Sequence, residues 1–317
     1  MSRLGDARAS IVGADRRTLV WVALGTLYLV WGSTYLAIRV AVETIPPFMM
    51  ASVRFLIAGA ILYALTIRRG DTAGDRPGLL QWRDSAIVGG ALLLGGMGLV
   101  AVGEQTVPSG IAALIIASLP LWIALLGRIF LGDRMTRPVL AGILIGFGGV
   151  ALLVAPAGGA ALDPFGLLVL MLSPVAWAAG TLYSRNAVLP QRPLVATALQ
   201  MLCGGVLLAV AAILTGEPGR IELADVSTAS IAAVLYLIFV GGLIGFSCYV
   251  WLLRHAPVST VTTYAYVNPV VAVILGALIL GEPIGPRTLV SGAIIVGAVA
   301  LIISAKGRFR PPPIPEP

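Results

Sequence analysis

Residues Trp31–Arg39 read W-G-S-T-Y-L-A-I-R, and residues Trp177–Arg185 read W-A-A-G-T-L-Y-S-R. The same Trp and Arg stand eight residues apart in both stretches, so one unit is written twice. An offset of 146 overlays more of the chain: Ala41-Val42 on Ala187-Val188, Pro47 on Pro193 and Gly59 on Gly205. An offset of 149 then carries Pro108 onto Pro257, Pro120 onto Pro269, Leu131-Gly132-Asp133 onto Leu280-Gly281-Glu282 and Val150-Ala151-Leu152 onto Val299-Ala300-Leu301. Chance matching of apolar sequence does not keep Trp, Arg, Pro and Gly-acid landmarks at nearly one offset.

The surroundings of the two units set the class. The 317 residues are 58% hydrophobic and 11% charged, against about 25% charged in a soluble domain. Apolar runs of roughly 20 residues recur, each long enough to cross a bilayer as a helix. They are continuous rather than alternating with period two, which excludes a transmembrane barrel. Ten spans are expected, over 18–38, 46–67, 84–102, 108–129, 138–154, 165–184, 193–215, 229–252, 257–280 and 286–304. The units are then a tail at 1–17, a first five-helix repeat at 18–154, a linker at 155–164 (A-P-A-G-G-A-A-L-D-P), a second repeat at 165–304 and a tail at 305–317. Five spans per repeat is an odd number, so the second copy enters the membrane from the opposite side. The fold expected is all-α integral membrane, ten helices in two inverted repeats, with a site near the midplane between them.

Charge supports the count. The net charge is +7, with 21 Lys and Arg. Arg39, Arg220 and Arg287 fall on the side opposite the termini and Arg54 lies within span two. The remaining 17 fall on the side of the termini, which the positive-inside rule makes cytoplasmic. The charge thus reports orientation, not nucleic acid. No short apolar run with a small-residue cleavage site precedes span one, so the N-terminal segment reads as a retained tail. The basic, then proline-rich C-terminus reads as extended. Cys203 and Cys248 lie in apolar runs and read as small buried hydrophobes.

W-G-S-T-Y, the run M-M-A-S-V-R-F-L-I-A-G at 49–59, G-E-Q-T-V-P-S-G at 103–110 and L-P-L-W-I-A-L at 119–125 resemble the EamA-type branch of the drug/metabolite transporter superfamily. Within it the chain is most similar to the YedA-like exporters, to which the 103–110 motif is more specific. The resemblance covers roughly 18–304. It implies ten helices around a central cavity and efflux of amino acids, related metabolites or drugs across a bacterial inner membrane.

Polar side chains within spans are few, and such groups are functional or paired. Trp31 and Tyr35 share a helix face, with Ser33 and Thr34 beside them; Trp177 and Thr181 repeat that face. They read either as a substrate-binding cavity wall or as packing, with hydroxyls bonded to the preceding turn. Pro120 and Pro269 remove amide donors in spans four and nine, freeing the carbonyls of Ile116 and Ala265. Ser118, Trp122, Tyr264 and Asn268 stand near those breaks and complete the substrate-binding candidates; a plain kink is the other reading. Arg54 and Glu104 read as an ion pair locking two helices; otherwise Arg54 attracts a substrate carboxylate, or Glu104 takes part in gating or proton coupling. Tyr249 and Trp251 read as interfacial aromatics. Asp133 and Glu282 read as dipole partners of helix N-termini. Gly142, Gly146, Ala293 and Gly297 allow close packing, within the bundle or in a homodimer.

A secondary transporter of a small-molecule substrate, working by alternating access, is the function expected. A facilitator or exchanger is the alternative, since no carboxylate lies mid-span. An intramembrane enzyme would need a His, Asp or metal constellation the spans do not offer. No G-x4-G-K-[ST] loop occurs, and no cofactor or metal is expected.

Overall fold

The computed structural model describes residues 2–68, 77–133, 135–155 and 162–307. The arginine-rich segment after span two, most of the 155–164 linker and the C-terminal tail from 308 lie outside the described residues. Ten helical elements follow in chain order. They are α1 Ser2–Ala41, α2 Pro47–Arg68, α3 Leu79–Gly103, α4 Ser109–Leu131, α5 Arg137–Val154, α6 Pro164–Tyr183 and α7 Pro193–Leu214. The last three are α8 Thr228–Leu253, α9, in two pieces Val258–Val261 and Tyr264–Leu280, and α10 Pro286–Gly307. Prolines open α2, α6, α7 and α10, where the missing amide hydrogen would have had no partner.

Three boundaries differ from the sequence reading. The backbone is already helical from Ser2, so the N-terminal tail continues α1 before its apolar span begins at Thr18. α3 starts at Leu79, taking Trp82, Arg83 and Asp84 into the helix. Among the described residues nine helices are long and apolar enough to cross a membrane, and the tenth, α9, is interrupted. Its interruption falls at Thr262-Thr263, not at Pro269. Pro120 by contrast stands in the first turn of Leu119–Leu131, directly after the break in α4, where a proline costs nothing.

The repeats do not form separate halves. α2 lies along α7, α4 against α9, and α5 along α10, each helix on its own copy. α1 packs on α8 and α9, and α6 packs on α3 and α4, the same relation exchanged between repeats. The largest buried cluster accordingly mixes both repeats, with Ile38, Met50, Phe55, Val100 and Ile115 from the first and Leu170, Met201, Leu208 and Leu237 from the second. Leu144, Ile213 and Leu278 stand exposed on the outside of the bundle, as lipid-facing side chains do. Gly142 and Gly146 are used inside the bundle: a Cβ at either would meet Ile302 or Leu121 at 2.6 Å. Ala293 and Gly297 are exposed.

The pseudo-two-fold is also visible in backbone detail. Gly132 and Gly281 end α4 and α9 in left-handed conformations, with φ of 68° and 66°. The next amides, Asp133 and Glu282, each return 3.1 Å to the carbonyls of Gly127 and Gly276, closing the helix end as a Schellman turn does. Gly90–Gly98 in α3 and Leu237–Ile244 in α8 are both π-helical. Each contains a Gly-Gly pair, 95–96 and 241–242, at the 146-residue offset of the tryptophans.

The α2–α7 contact is the tightest test of this arrangement. A Cβ on Gly59 would approach Met201 Cβ to 2.9 Å, and one on Gly205 would approach Leu56 Cγ to 2.8 Å. Overpacking of this kind costs about 1–3 kcal/mol. Gly59→Val and Gly205→Val are each expected to lower the melting temperature of the detergent-solubilised protein by several degrees, read by thermal unfolding.

Candidate substrate site

Trp31 projects from α1 into the π-helical part of α8. Its Nε1 donates to the Gly241 carbonyl at 3.3 Å, an oxygen that the widened helix leaves available. Its ring centroid lies 5.0 Å from Tyr264 of α9, 5.3 Å from Tyr249 and 5.5 Å from Phe246 of α8. Two of these contacts are edge-on, the favourable arrangement for aromatic quadrupoles. Tyr249 is thus part of the Trp31 cluster and not an interfacial ring, because α8 turns that face inward. Trp251 instead stacks on His255, 4.2 Å between centroids.

The hydroxyls beside Trp31 are engaged. Thr34 donates to the Trp31 carbonyl at 2.6 Å, and Ser33 contacts the Val30 carbonyl and the Tyr236 hydroxyl. Thr181 likewise bonds the Trp177 carbonyl, and Ser118 bonds the Ile115 carbonyl at 2.6 Å inside the α4 break. Trp177 rests on the Gly95-Gly96 turn of α3, its ring 3.0 Å from where a Gly96 Cβ would stand. Trp31 meets the corresponding Gly-Gly segment of α8 through Gly241. The two tryptophans therefore occupy equivalent places on different helices and make no ring contact with each other. Trp122 faces Phe147 of α5 at 4.8 Å, away from the Trp31 cluster.

Several buried polar atoms lack a hydrogen-bond partner: Trp122 Nε1, Asn268 Oδ1, Arg54 Nε and both carboxylate oxygens of Glu104. Unpaired groups in such surroundings are costly. Arg54, 4% exposed, lies with its guanidinium carbon 4.6 Å from the Phe55 ring centre. The direct ion pair with Glu104 expected from sequence is not formed, since no N–O approach within 4 Å joins them. Arg54 is held over its ring while Glu104 sits in the α3–α4 turn, and the two act on each other only at longer range. The structure thus gathers Trp31, Tyr35, Thr34, Arg54, Tyr264 and Asn268 around the α1–α8–α9 contact, and leaves Ser118, Trp122, Trp177 and Thr181 around α4 and α6.

Helix ends are stapled differently on the two faces. On the face opposite the termini, Glu282 accepts from Ser109 N at 2.7 Å and Gly110 N at 3.0 Å, capping α4 of the other repeat. Glu217 caps α2 in the same way, from Phe48 N at 3.2 Å and Met49 N at 2.8 Å. Glu282 was expected at the start of its own following helix; the Schellman turn points it back across α9 instead. Asp163 caps α6 through Gly166 N at 2.8 Å and holds the Thr106 hydroxyl at 2.8 Å. Thr106, then Gly166, draws the Asp163 carboxyl below the ordinary range. Its contribution is present above the unfolded carboxyl value and fades as pH falls through the lowered one. On the face of the termini, Asp133, the symmetry mate of Glu282, pairs with Arg185 at 2.9 Å.

Two inverted helical repeats, broken backbone at mid-bundle and an aromatic and charged interior define a membrane transporter. Residues 18–155 and 164–304 each match the EamA-like transporter family, and the chain belongs to that family, within the drug/metabolite transporter superfamily. It is 38% identical over 296 residues to the uncharacterized inner membrane transporter YedA of Escherichia coli strain K12, covering 93% of this chain and 94% of that one. It is 29% identical to a probable terminal-alkyne amino-acid exporter of Streptantibioticus cattleyicolor, over 89% and 92% of the two chains. A crystal structure at 23% identity superposes with a TM-score of 0.59 over 89% of this chain and 95% of that one, which supports the fold.

A Cβ on Gly245 would stand 2.4 Å from Trp31 Nε1, whereas one on Gly148 would meet nothing within 4 Å. Gly245→Ala is expected to displace the indole and reduce transport in proteoliposomes as far as Trp31→Ala does. Gly148→Ala is expected to leave it unchanged.

Proposed function

We propose that this transporter exports amino acids or closely related small metabolites across the cytoplasmic membrane of a bacterium by alternating access. The carrying observation is the unlike state of two symmetry-related acids. Glu282 is seated on the N-terminus of α4, and Asp133 is drawn to Arg185 instead of serving α9. An inverted-repeat protein that is symmetric in sequence and asymmetric in such contacts is held in one of two conformations that its repeats can exchange. Exchanging the two conformations between repeats exchanges the open face. The 17 basic residues on the terminal side support cytoplasmic termini, so the Glu282 face looks outward. Substrate binding falls to Trp31, Tyr35 and Tyr264 for apolar parts and to Arg54 for a carboxylate, with Asn268 Oδ1 as a free acceptor. Ser33 and Thr34 shape the wall, and Trp177, Thr181, Ser118 and Trp122 form the equivalent wall in the alternate state. The named activity of the Streptantibioticus relative supports the amino-acid class.

Proteoliposomes preloaded with a panel of radiolabelled L-amino acids provide the test. Efflux above that of empty liposomes is expected for part of the panel. Trp31→Ala and Trp177→Ala, normally expressed, are each expected to slow it by about tenfold or more, the loss of about 1.4 kcal/mol of transition-state binding. Parent-like rates in both variants remove the tryptophans from the site.

A further inference from the structure

Glu104 is a buried carboxylate with no hydrogen-bond partner among the described residues. It is 0% exposed, in the turn between the spans that end at Gly103 and begin at Ser109. Neither carboxylate oxygen has a hydrogen-bond donor. A buried carboxylate stripped of water and donors is strongly disfavoured as an anion. The cations close by do not repair this. Arg39 gives its guanidinium to the Glu104 main-chain carbonyl, and Arg54 lies over Phe55 with no approach to Glu104 within 4 Å. From α1 the Tyr35 hydroxyl is within electrostatic reach. From the turn after α9 comes Glu282, a like charge. Burial first, then Glu282, raises the proton affinity of Glu104 above that of an ordinary carboxyl, while Arg39 and Arg54 act against them.

Glu282 is also the cap that fastens this face, through Ser109 N and Gly110 N, and those amides open the helix that follows the turn carrying Glu104. Glu282 is thus an anion seated on the start of α4, and Glu104, buried in the turn before that helix without a donor, is a like charge within its influence. The geometry points to Glu104 as a proton-binding site that governs this face: with Glu104 neutral the Glu282 cap stays seated on α4, and with Glu104 ionised the cap is driven off and the face opens. The proton is exchanged with water on that side; no other co-reactant is involved. The sign is fixed by linkage. The closed form takes up the proton, so lowering pH favours closure and raising it favours opening. This rests on the alternating-access reading above and adds to it a control that faces away from the termini.

The test is a distance across the cap. Spin labels are placed at Gln105 and Ile284 by Gln105→Cys and Ile284→Cys in a Cys203→Ser, Cys248→Ser background. The full chain in lipid nanodiscs is read by double electron–electron resonance between about pH 5 and about pH 9. A single short distance at the acid end, and a growing longer one toward the alkaline end, is expected. Glu104→Gln, neutral at every pH, is expected to keep the short distance throughout. Glu104→Asp, which keeps the titration, is expected to retain the pH response and guards against a folding defect in the first variant. A distance that ignores pH, or a Glu104→Gln protein that still opens on alkalinisation, overturns the assignment. If that happens while amino-acid efflux persists, the exporter reading stands without it; a pH-gated distance with no efflux spares Glu104 and removes the substrate class instead.

Discussion

A hydrocarbon environment gives a backbone N–H or C=O nothing to bond to except protein, and that constraint explains where this chain is regular and where it is not. Most of its outward surface among the described residues is α-helix. Its departures, the break at Ala117-Ser118, the break at Thr262-Thr263 and the two π-helical segments, all lie where helices face each other. Each departure finds its bonds locally. Ser118 returns to the Ile115 carbonyl through both N and Oγ, Thr263 bonds Thr260 and the Tyr28 hydroxyl, and Gly241 offers its carbonyl to Trp31. The irregular backbone and the aromatic site are thus one feature: the tryptophan completes the helix it packs on.

Much of this was legible before any coordinates. Proline positions mark helix starts because a missing amide hydrogen is harmless there, and the Leu-Gly-acid triplets, matched at one offset, mark equivalent places in the two copies. The offset between Trp31 and Trp177 revealed the duplication, and five spans per copy revealed its inversion. The family resemblance drawn from the same stretches agrees with the matches over both repeats.

The rest was hidden for definable reasons. A π segment has no residue signature of its own; the signal available was the Gly-Gly pair recurring at the tryptophan offset, together with Gly241, Gly245 and Tyr249 on one face of α8. Pro269 misdirected the position of the α9 break because a proline within a helix bends it without having to interrupt it, while Thr262 and Thr263 supply hydroxyls that bond the chain back on itself. Tyr249 was misassigned since depth in a membrane does not disclose which way a side chain turns. That Arg54 and Glu104 could meet was readable, but their failure to touch was not: Arg54 lies over the Phe55 ring instead.

The pairing of each helix with its own copy bears on how the protein is made. Because α2 is covered by α7, α4 by α9 and α5 by α10, much of the packed surface of the first five helices is covered by the second repeat. The faces that carry Gly59, Gly110 and Gly142 wait for Leu202, Val273 and Ile302. During synthesis those faces stay uncovered until the second repeat is inserted. The packed bundle is an event of the completed chain, not of its halves in turn.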